Sequence, residues 1–359
     1  MALRYFQGTI VAQECRLDVE AAAKKLRKAM KGLGTDEKAI IEVLGSHSNH
    51  ELQLIKEFYN QHFLRVLGKD IQDELSGHFE KLCLYLLLPR PHFQAYCLHQ
   101  AMDGLGTDET TLIEILCTCT NQEIAEIKDA YRERFKKELE ADLEGDTSGH
   151  FRCVLVGIVQ GNRSEEQVID QALVNTDVEE LLKAGVKKIG TDESVFNRIL
   201  VRRSVPHLQA VFDAYKLKDK QDILAAIHSE TSGHLRETYL AIARYVIDPI
   251  DYFAECFYKC MKGAGTDDER LMQLVVNHGE IDLRDIAEAY LKKYHKGLSR
   301  AIQDDTSGDY RKLLVRLTNI NVIQQPPVEQ FLKSLPTDLQ PPVTQDTIND
   351  STDVQDTKK

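Results

Sequence analysis

Four times along this chain, a turn closing on glycine and threonine is followed, forty residues after that glycine, by a carboxylate. The turns are Gly32-Leu33-Gly34-Thr35, Gly104-Leu105-Gly106-Thr107, Lys188-Ile189-Gly190-Thr191 and Gly263-Ala264-Gly265-Thr266. The carboxylates are Glu74, Asp146, Glu230 and Asp305, which open the stretches ELSGHF, DTSGHF, ETSGHL and DTSGDY. Successive turns lie 72, 84 and 75 residues apart, so other distances drift while this one holds. The chain is therefore a fourfold internal repeat. Its period exceeds the roughly 20 to 50 residues of ordinary solenoid units, which leaves room for a small helical domain in each copy.

Between the landmarks the apolar residues keep helical time. Leu52, Ile55, Phe58 and Tyr59 share one helix face, as do Phe79, Leu82 and Leu86. Strand-like alternation of useful length is absent from the sequence. Roughly 70 residues at typical helix lengths of ~11 hold about five short helices, so the fold class is all-α with four repeats of about five helices each. Thr35, Thr107, Thr191 and Thr266 are predicted helix N-caps, with Thr266 to Glu269 completing a capping box, and Asp248-Pro249 is predicted to start another helix.

A length of 359 residues with 42% hydrophobic and 28% charged side chains suits a soluble globular protein. No apolar run reaches the ~18 residues of a membrane span, and the opening MALRYFQGTIVAQEC lacks the basic flank and apolar core of a secretory signal. The expectation is a cytoplasmic protein, with export by an unconventional route left open. The eight cysteines form no CxxC pair and read as free thiols; Cys256 and Cys260 read as core filler. A formal charge of −12 argues against nucleic acid as a partner and against a standing attraction to anionic lipid.

Two glycines in one turn let the backbone take positive φ and approach a ligand closely, with its carbonyls available. Carbonyl oxygens suit hard cations. Ca2+ takes six to eight oxygens, so about three carbonyls plus one bidentate carboxylate leave coordination positions vacant; Mg2+, which needs stricter octahedral geometry, fits less well. The carboxylate for each loop is expected from its forty-residue landmark. An EF-hand draws its ligands from one twelve-residue loop, a pattern no segment here fits, and no strand or third glycine makes a dinucleotide site of the turn. Vacant positions on a bound cation accept phosphate oxygens, so attraction to anionic phospholipid membranes would switch on with calcium. Leu33, Leu105, Ile189 and Ala264 at the loop tips either enter the interfacial layer or pack inward, and burial decides between the two.

Taken together, Met30 to Thr35 with Glu74, Met102 to Thr107 with Asp146 and Met261 to Thr266 with Asp305 resemble the calcium signature of the annexin family. The resemblance covers residues 5 to 318. It implies right-handed superhelical repeats of five helices forming a slightly curved disc, calcium loops on the convex face and reversible binding to acidic phospholipids. It also implies the coordinating carbonyls: Met30, Gly32 and Gly34; Met102, Gly104 and Gly106; Met261, Gly263 and Gly265. In the third loop Lys188 replaces the first glycine, so the implied set there is Gly185, Lys188, Gly190 and Glu230. Lys31, Lys187 and Lys262 stand where a phosphate could be met, whereas Asp103 occupies that place in the second loop.

Positions matching the polar channel linked to ion conduction in some relatives are Gln94, Cys97 and His278, which argues against that activity here. The expected organisation is a short arm over 1–14, repeats over 15–88, 89–161, 169–248 and 249–318, and a proline-rich, mostly disordered tail over 319–359 that exceeds the family pattern. Val328, Phe331, Leu332 and Leu335 in the tail read as a segment folding back on the body or as a docking motif for a protein partner or self-association. No enzyme is expected: His78, His150 and His234 follow each Ser-Gly, yet no nucleophile repeats beside them, and hydrogen bonding at the helix start is their expected role. A helical protein-interaction scaffold stays open as the alternative, although it leaves the forty-residue offset unused.

Overall fold

Most helices start directly after an aspartate, serine or threonine, as those beginning at Val19, Glu37, Asn49 and Asn121 do after Asp18, Asp36, Ser48 and Thr120. In the computed structural model, which describes residues 7–9, 18–32, 34–185, 192–219 and 221–319, twenty α-helices form in four sets of five. The first repeat holds α1 (Val19–Ala29), α2 (Glu37–Leu44), α3 (Asn49–Phe63), α4 (Leu67–Glu74) and α5 (Gly77–Leu86). The second holds α6 (Arg90–Met102), α7 (Glu109–Leu116), α8 (Asn121–Phe135), α9 (Leu139–Asp146) and α10 (Gly149–Val159). The third holds α11 (Gln171–Ala184), α12 (Glu193–Arg202), α13 (Val205–Lys218), α14 (Ile223–Glu230) and α15 (Gly233–Ile247). The fourth holds α16 (Pro249–Cys260), α17 (Asp268–His278), α18 (Leu283–Tyr294), α19 (Leu298–Asp305) and α20 (Gly308–Leu317). The tail beyond 319, including Val328 to Leu335, lies outside the described residues, as do Leu33, Lys187, Lys188, Ile189, Gly190 and Thr191.

Within each repeat the first helix packs on the second and third, and the fourth packs on the fifth. The periodic positions supply the cores. Leu52, Ile55, Tyr59, Leu82 and Leu86 are buried, each large aliphatic group contributing about 1.5–3 kcal/mol on removal from water. Buried tyrosines then tie their neighbours with hydrogen bonds: the Tyr59 hydroxyl donates to Asp70 at 2.6 Å, and Tyr131 does the same to Asp142 at 2.6 Å. Arg65 holds Asp70 through two nitrogens, at 2.7 Å from Nε and 2.6 Å from its terminal nitrogen. The seven described cysteines are free, and Cys256 and Cys260 are buried in the core.

Ion pairs make this fold sensitive to acid. The Arg65 hydrogen bond keeps the Asp70 carboxyl below the usual carboxylate range. At Glu255 burial pulls upward, but the Lys259 and Arg244 contacts prevail and push it down to about 2 from 4.5. Carboxylates with depressed folded-state values contribute stability that is complete above the unfolded value and lost as pH falls through the folded one. Stability should therefore hold from neutral pH to about 4.5 and decline toward about 2. Urea midpoints measured across that range check this, and Arg65→Leu should flatten the decline.

The helix starts correct one expectation. Asp36, Asp108 and Asp267, rather than the threonines before them, cap α2, α7 and α17: their side chains accept from the amides of Ala39, Thr111 and Arg270. The predicted capping box at Thr266 is accordingly not formed; complete boxes occur at Ser48 with Glu51 and at Thr120 with Glu123. Each of these threonines has other business, described below. Asp248 does cap α16, with Pro249 in its first turn.

Repeats pair first with fourth and second with third. Helices α2 and α5 pack on α20, and α5 also on α17; α10 packs on α12 and α15, and α7 on α15. The three histidines stand second in their own helices, where His234 bonds Glu237 at 3.2 Å, and all three also reach across these junctions. His78 faces Asp268 at 3.3 Å, His150 faces Glu193 at 3.9 Å and His234 faces Glu109 at 3.4 Å. Each of those acids is the first residue of its helix, where a carboxylate is already favoured by the helix dipole. The fourth slot holds Asp309, which pairs with Lys312 of its own helix at 2.8 Å.

Candidate metal centre

Each landmark carboxylate is the last residue of its repeat's fourth helix: Glu74 ends α4, Asp146 ends α9, Glu230 ends α14 and Asp305 ends α19. The chain then turns through an extended residue and a serine into the fifth helix. That turn leaves Glu74, Asp146 and Asp305 exposed at a helix end, and Glu230 half-buried.

Three of the four pairings close with the same hydrogen bond. The Thr35 hydroxyl donates to Glu74 at 2.8 Å, Thr107 to Asp146 at 2.8 Å and Thr266 to Asp305 at 2.7 Å. This is the task of the threonines. The residue after each threonine closes the loop behind it: the amides of Asp36, Asp108 and Asp267 donate to the carbonyls of Ala29, Ala101 and Cys260 at 2.9, 2.8 and 2.9 Å. Sequence reading missed this closure, although the fixed Thr-Asp pair was its signal.

Both glycines of each of these loops take positive φ: 113° and 85° at Gly32 and Gly34, 126° and 100° at Gly104 and Gly106, 114° and 94° at Gly263 and Gly265. A Cβ built on any of them meets nothing within 4 Å. Conformation rather than crowding therefore demands glycine, and the loops stand open to an approaching ligand. The Met30 and Met102 side chains are buried in the core, so these two residues can offer a ligand only their backbone. Leu105 is fully exposed, and Ala264, Lys31, Lys262 and Asp103 are exposed beside it and its counterparts. Lys262 lies over the Tyr258 ring at 5.7 Å.

The third loop departs from the others. Asp192 reaches back to the Ala184 carbonyl at 2.8 Å, a span one residue longer than in the other three. Gly185 lies against Glu230, whose Cγ would stand 3.2 Å from a Cβ at that position. Lys188 and Gly190 fall outside the described residues, so of the implied set only Gly185 and Glu230 are seen together.

Chemically, the donors brought together at the first, second and fourth loops are one landmark carboxylate, a threonine hydroxyl and backbone oxygens. Among the described residues no group of three or more His, Cys, Asp or Glu could hold a metal ion. Soft-metal sites need several such side chains, whereas a hard cation accepts backbone oxygens with one acid, so this donor set fits Ca2+. Glu74 and Asp305 also border one cleft of about 490 Å³ between the first and fourth repeats, together with Glu37, Asp268 and Asp309.

The polar interior is built from residues other than those the resemblance pointed to. Gln94, Cys97 and His278 are all buried, and His278 bonds Asp282 at 2.7 Å. The charges lie instead around a cavity of about 350 Å³, where Arg270 of α17 pairs with Glu114 of α7 and Arg244 pairs with Glu255 at 2.6 Å.

The annexin family model matches residues 21–86, 93–158, 176–242 and 252–317. This chain belongs to the annexin family. Human annexin A13 is 48% identical to it over 300 residues, which is 84% of this chain and 95% of that one. Chicken annexin V superposes with a TM-score of 0.83 at 43% identity, covering 88% of this chain and all of that one. Calcium-bound annexin (Sm)1 superposes with a TM-score of 0.80 at 32% identity, over 88% of this chain and 94% of that one. Annexins are non-enzymatic proteins that bind calcium and phospholipid, and the all-α, four-repeat architecture of this one is the family's. Among its described residues no helix is long and apolar enough to cross a membrane.

Proposed function

We propose that this annexin binds anionic phospholipid membranes reversibly when calcium rises, through loops that clasp the ion from one side only. The first, second and fourth loops are the principal sites: Met30, Gly32, Gly34 and Glu74; Met102, Gly104, Gly106 and Asp146; Met261, Gly263, Gly265 and Asp305. A weaker third site uses Gly185, Lys188, Gly190 and Glu230. The observation that carries this reading is the threonine hydrogen bond that brings each of three carboxylates to a loop forty residues away. Threonine orients the acid, the glycines keep the approach clear, and exposed Lys31 and Lys262 stand ready for phosphate oxygens. Bound Ca2+ supplies the positive charge that a chain of net charge −12 lacks. The protein is then cytoplasmic and peripheral at membranes, in the service of membrane organisation, trafficking or repair.

Cosedimentation with phosphatidylserine vesicles tests this directly. Pelleting with calcium and release on chelation are expected; equal pelleting in chelator would favour a scaffold that recruits partners without metal. Leu105, the exposed tip of the second loop, should insert into the interfacial layer. Leu105→Asp is expected to weaken vesicle binding several-fold, from the lost burial of one leucine and the added charge, without shifting the unfolding midpoint.

A further inference from the structure

Away from the loops, one cleft gathers cations without acids. It encloses about 500 Å³ between the first and second repeats, and its rim carries Lys56, Lys69, Lys81 and Arg134. The floor is apolar, built from Leu84, Tyr85, Leu88 and Tyr96 with Val66 at the edge, and no Asp or Glu lines it. On a chain with 57 acidic against 45 basic residues, a local excess of four cations calls for a reason.

Internal pairing does not supply one. Lys81 is paired with Glu269 at 2.5 Å, but the other three cations have no carboxylate partner among the described residues. Lys56 donates to the Leu87 carbonyl at 2.9 Å and to the Gln53 side chain, both neutral acceptors. Arg134 lies over the Tyr96 ring at 5.2 Å, a contact that holds its guanidinium at the cleft while leaving its donors free. Lys69 is exposed. Lysine stems commonly cover apolar surface, which accounts for their aliphatic parts and not for the missing acids. Burial pushes the Lys56 ammonium below the usual lysine range, a cost that an anion bound nearby would offset.

The geometry points to a binding site for a single-chain amphipathic anion, its aliphatic tail on the leucine and tyrosine floor and its anionic head held by Lys69 and Arg134, independently of calcium. The volume falls within the range of small-molecule pockets, and apolar walls with a few convergent charges are their usual composition. This site shares no residue with the glycine loops, so its failure and theirs are separable.

Dodecanoate, kept below its micelle concentration and titrated calorimetrically into the full chain in chelator, is the probe. Saturable binding is expected, with affinity reduced roughly tenfold or more by Lys69→Glu/Arg134→Glu, since charge-assisted contacts are lost and like charge is introduced. Gly68→Leu provides a second arm. A Cβ at Gly68 meets only Leu84, at an ordinary 3.7 Å, so the larger side chain should narrow the floor without disturbing α4 and should also weaken binding. Both variants should retain wild-type circular dichroism and calcium-dependent vesicle pelleting. Absence of saturable heat, unchanged affinity in either variant, or equal binding of neutral dodecanol would overturn the proposal.

Discussion

Replacing Glu74, Asp146 and Asp305 together by alanine is expected to abolish vesicle binding at calcium concentrations that saturate the wild type. Each substitution removes the acid that its loop's threonine holds in place, and calcium affinity depends steeply on ligand charge. A charged contact worth about 1.5–3 kcal/mol corresponds to roughly ten- to a hundredfold in affinity, so each site should need at least about tenfold more calcium. Helicity should stay unchanged, because the three acids are exposed at helix ends and the freed threonine hydroxyls can turn to water. Calcium titrations of cosedimentation, with single, double and triple variants, check the prediction. A triple variant that binds at the wild-type calcium level would remove these carboxylates from the ligand set.

Arg270→Ala is expected to cause a large loss of stability. Arg270 and Glu114 join the fourth repeat to the second, with Nε 3.1 Å from a carboxylate oxygen and side chains only 15% and 10% exposed. Truncating the arginine leaves a buried carboxylate without its partner, which costs about 3–5 kcal/mol in comparable pairs. For a chain of this size that lowers the unfolding temperature by roughly 5–8 °C. The matched exchange Arg270→Met/Glu114→Leu should recover most of it, since replacing both members by apolar groups is often nearly neutral. Differential scanning calorimetry of the single and paired variants separates the desolvation cost from the value of the bridge.

Much of this architecture is legible in the order of the residues, because repetition turns one weak motif into a register. A glycine-threonine turn alone is an ordinary connection; four turns, each with an acid at the same remove, require a local fold that makes the two meet. Leu52, Ile55 and Tyr59 place the cores for the same reason, since periodicity survives translation into burial. Hydrogen-bond partners do not. Thr35 and Asp36 are both good caps by residue type, and only the folded geometry gives the cap to the aspartate and turns the threonine to Glu74. Contacts between repeats are hidden as well. His78 meets Asp268 and Arg270 meets Glu114 across 190 and 156 positions of chain, distances over which local pattern carries no information.

The pairing of the first repeat with the fourth bears on how such a chain is made. The backbone amide of Thr9 is bonded to the Gly279 carbonyl at 2.8 Å, and α2 and α5 find their packing partners in α17 and α20. Synthesis runs from the amino end, so these apolar faces leave the ribosome roughly 190 to 270 residues ahead of the helices that cover them. At ~5–20 residues per second they wait roughly ten to fifty seconds. During that interval the nascent amino-terminal quarter presents a sticky, half-finished surface, whereas the two middle quarters can close on each other as they emerge. Chaperone demand and misassembly should therefore concentrate on the segment translated earliest.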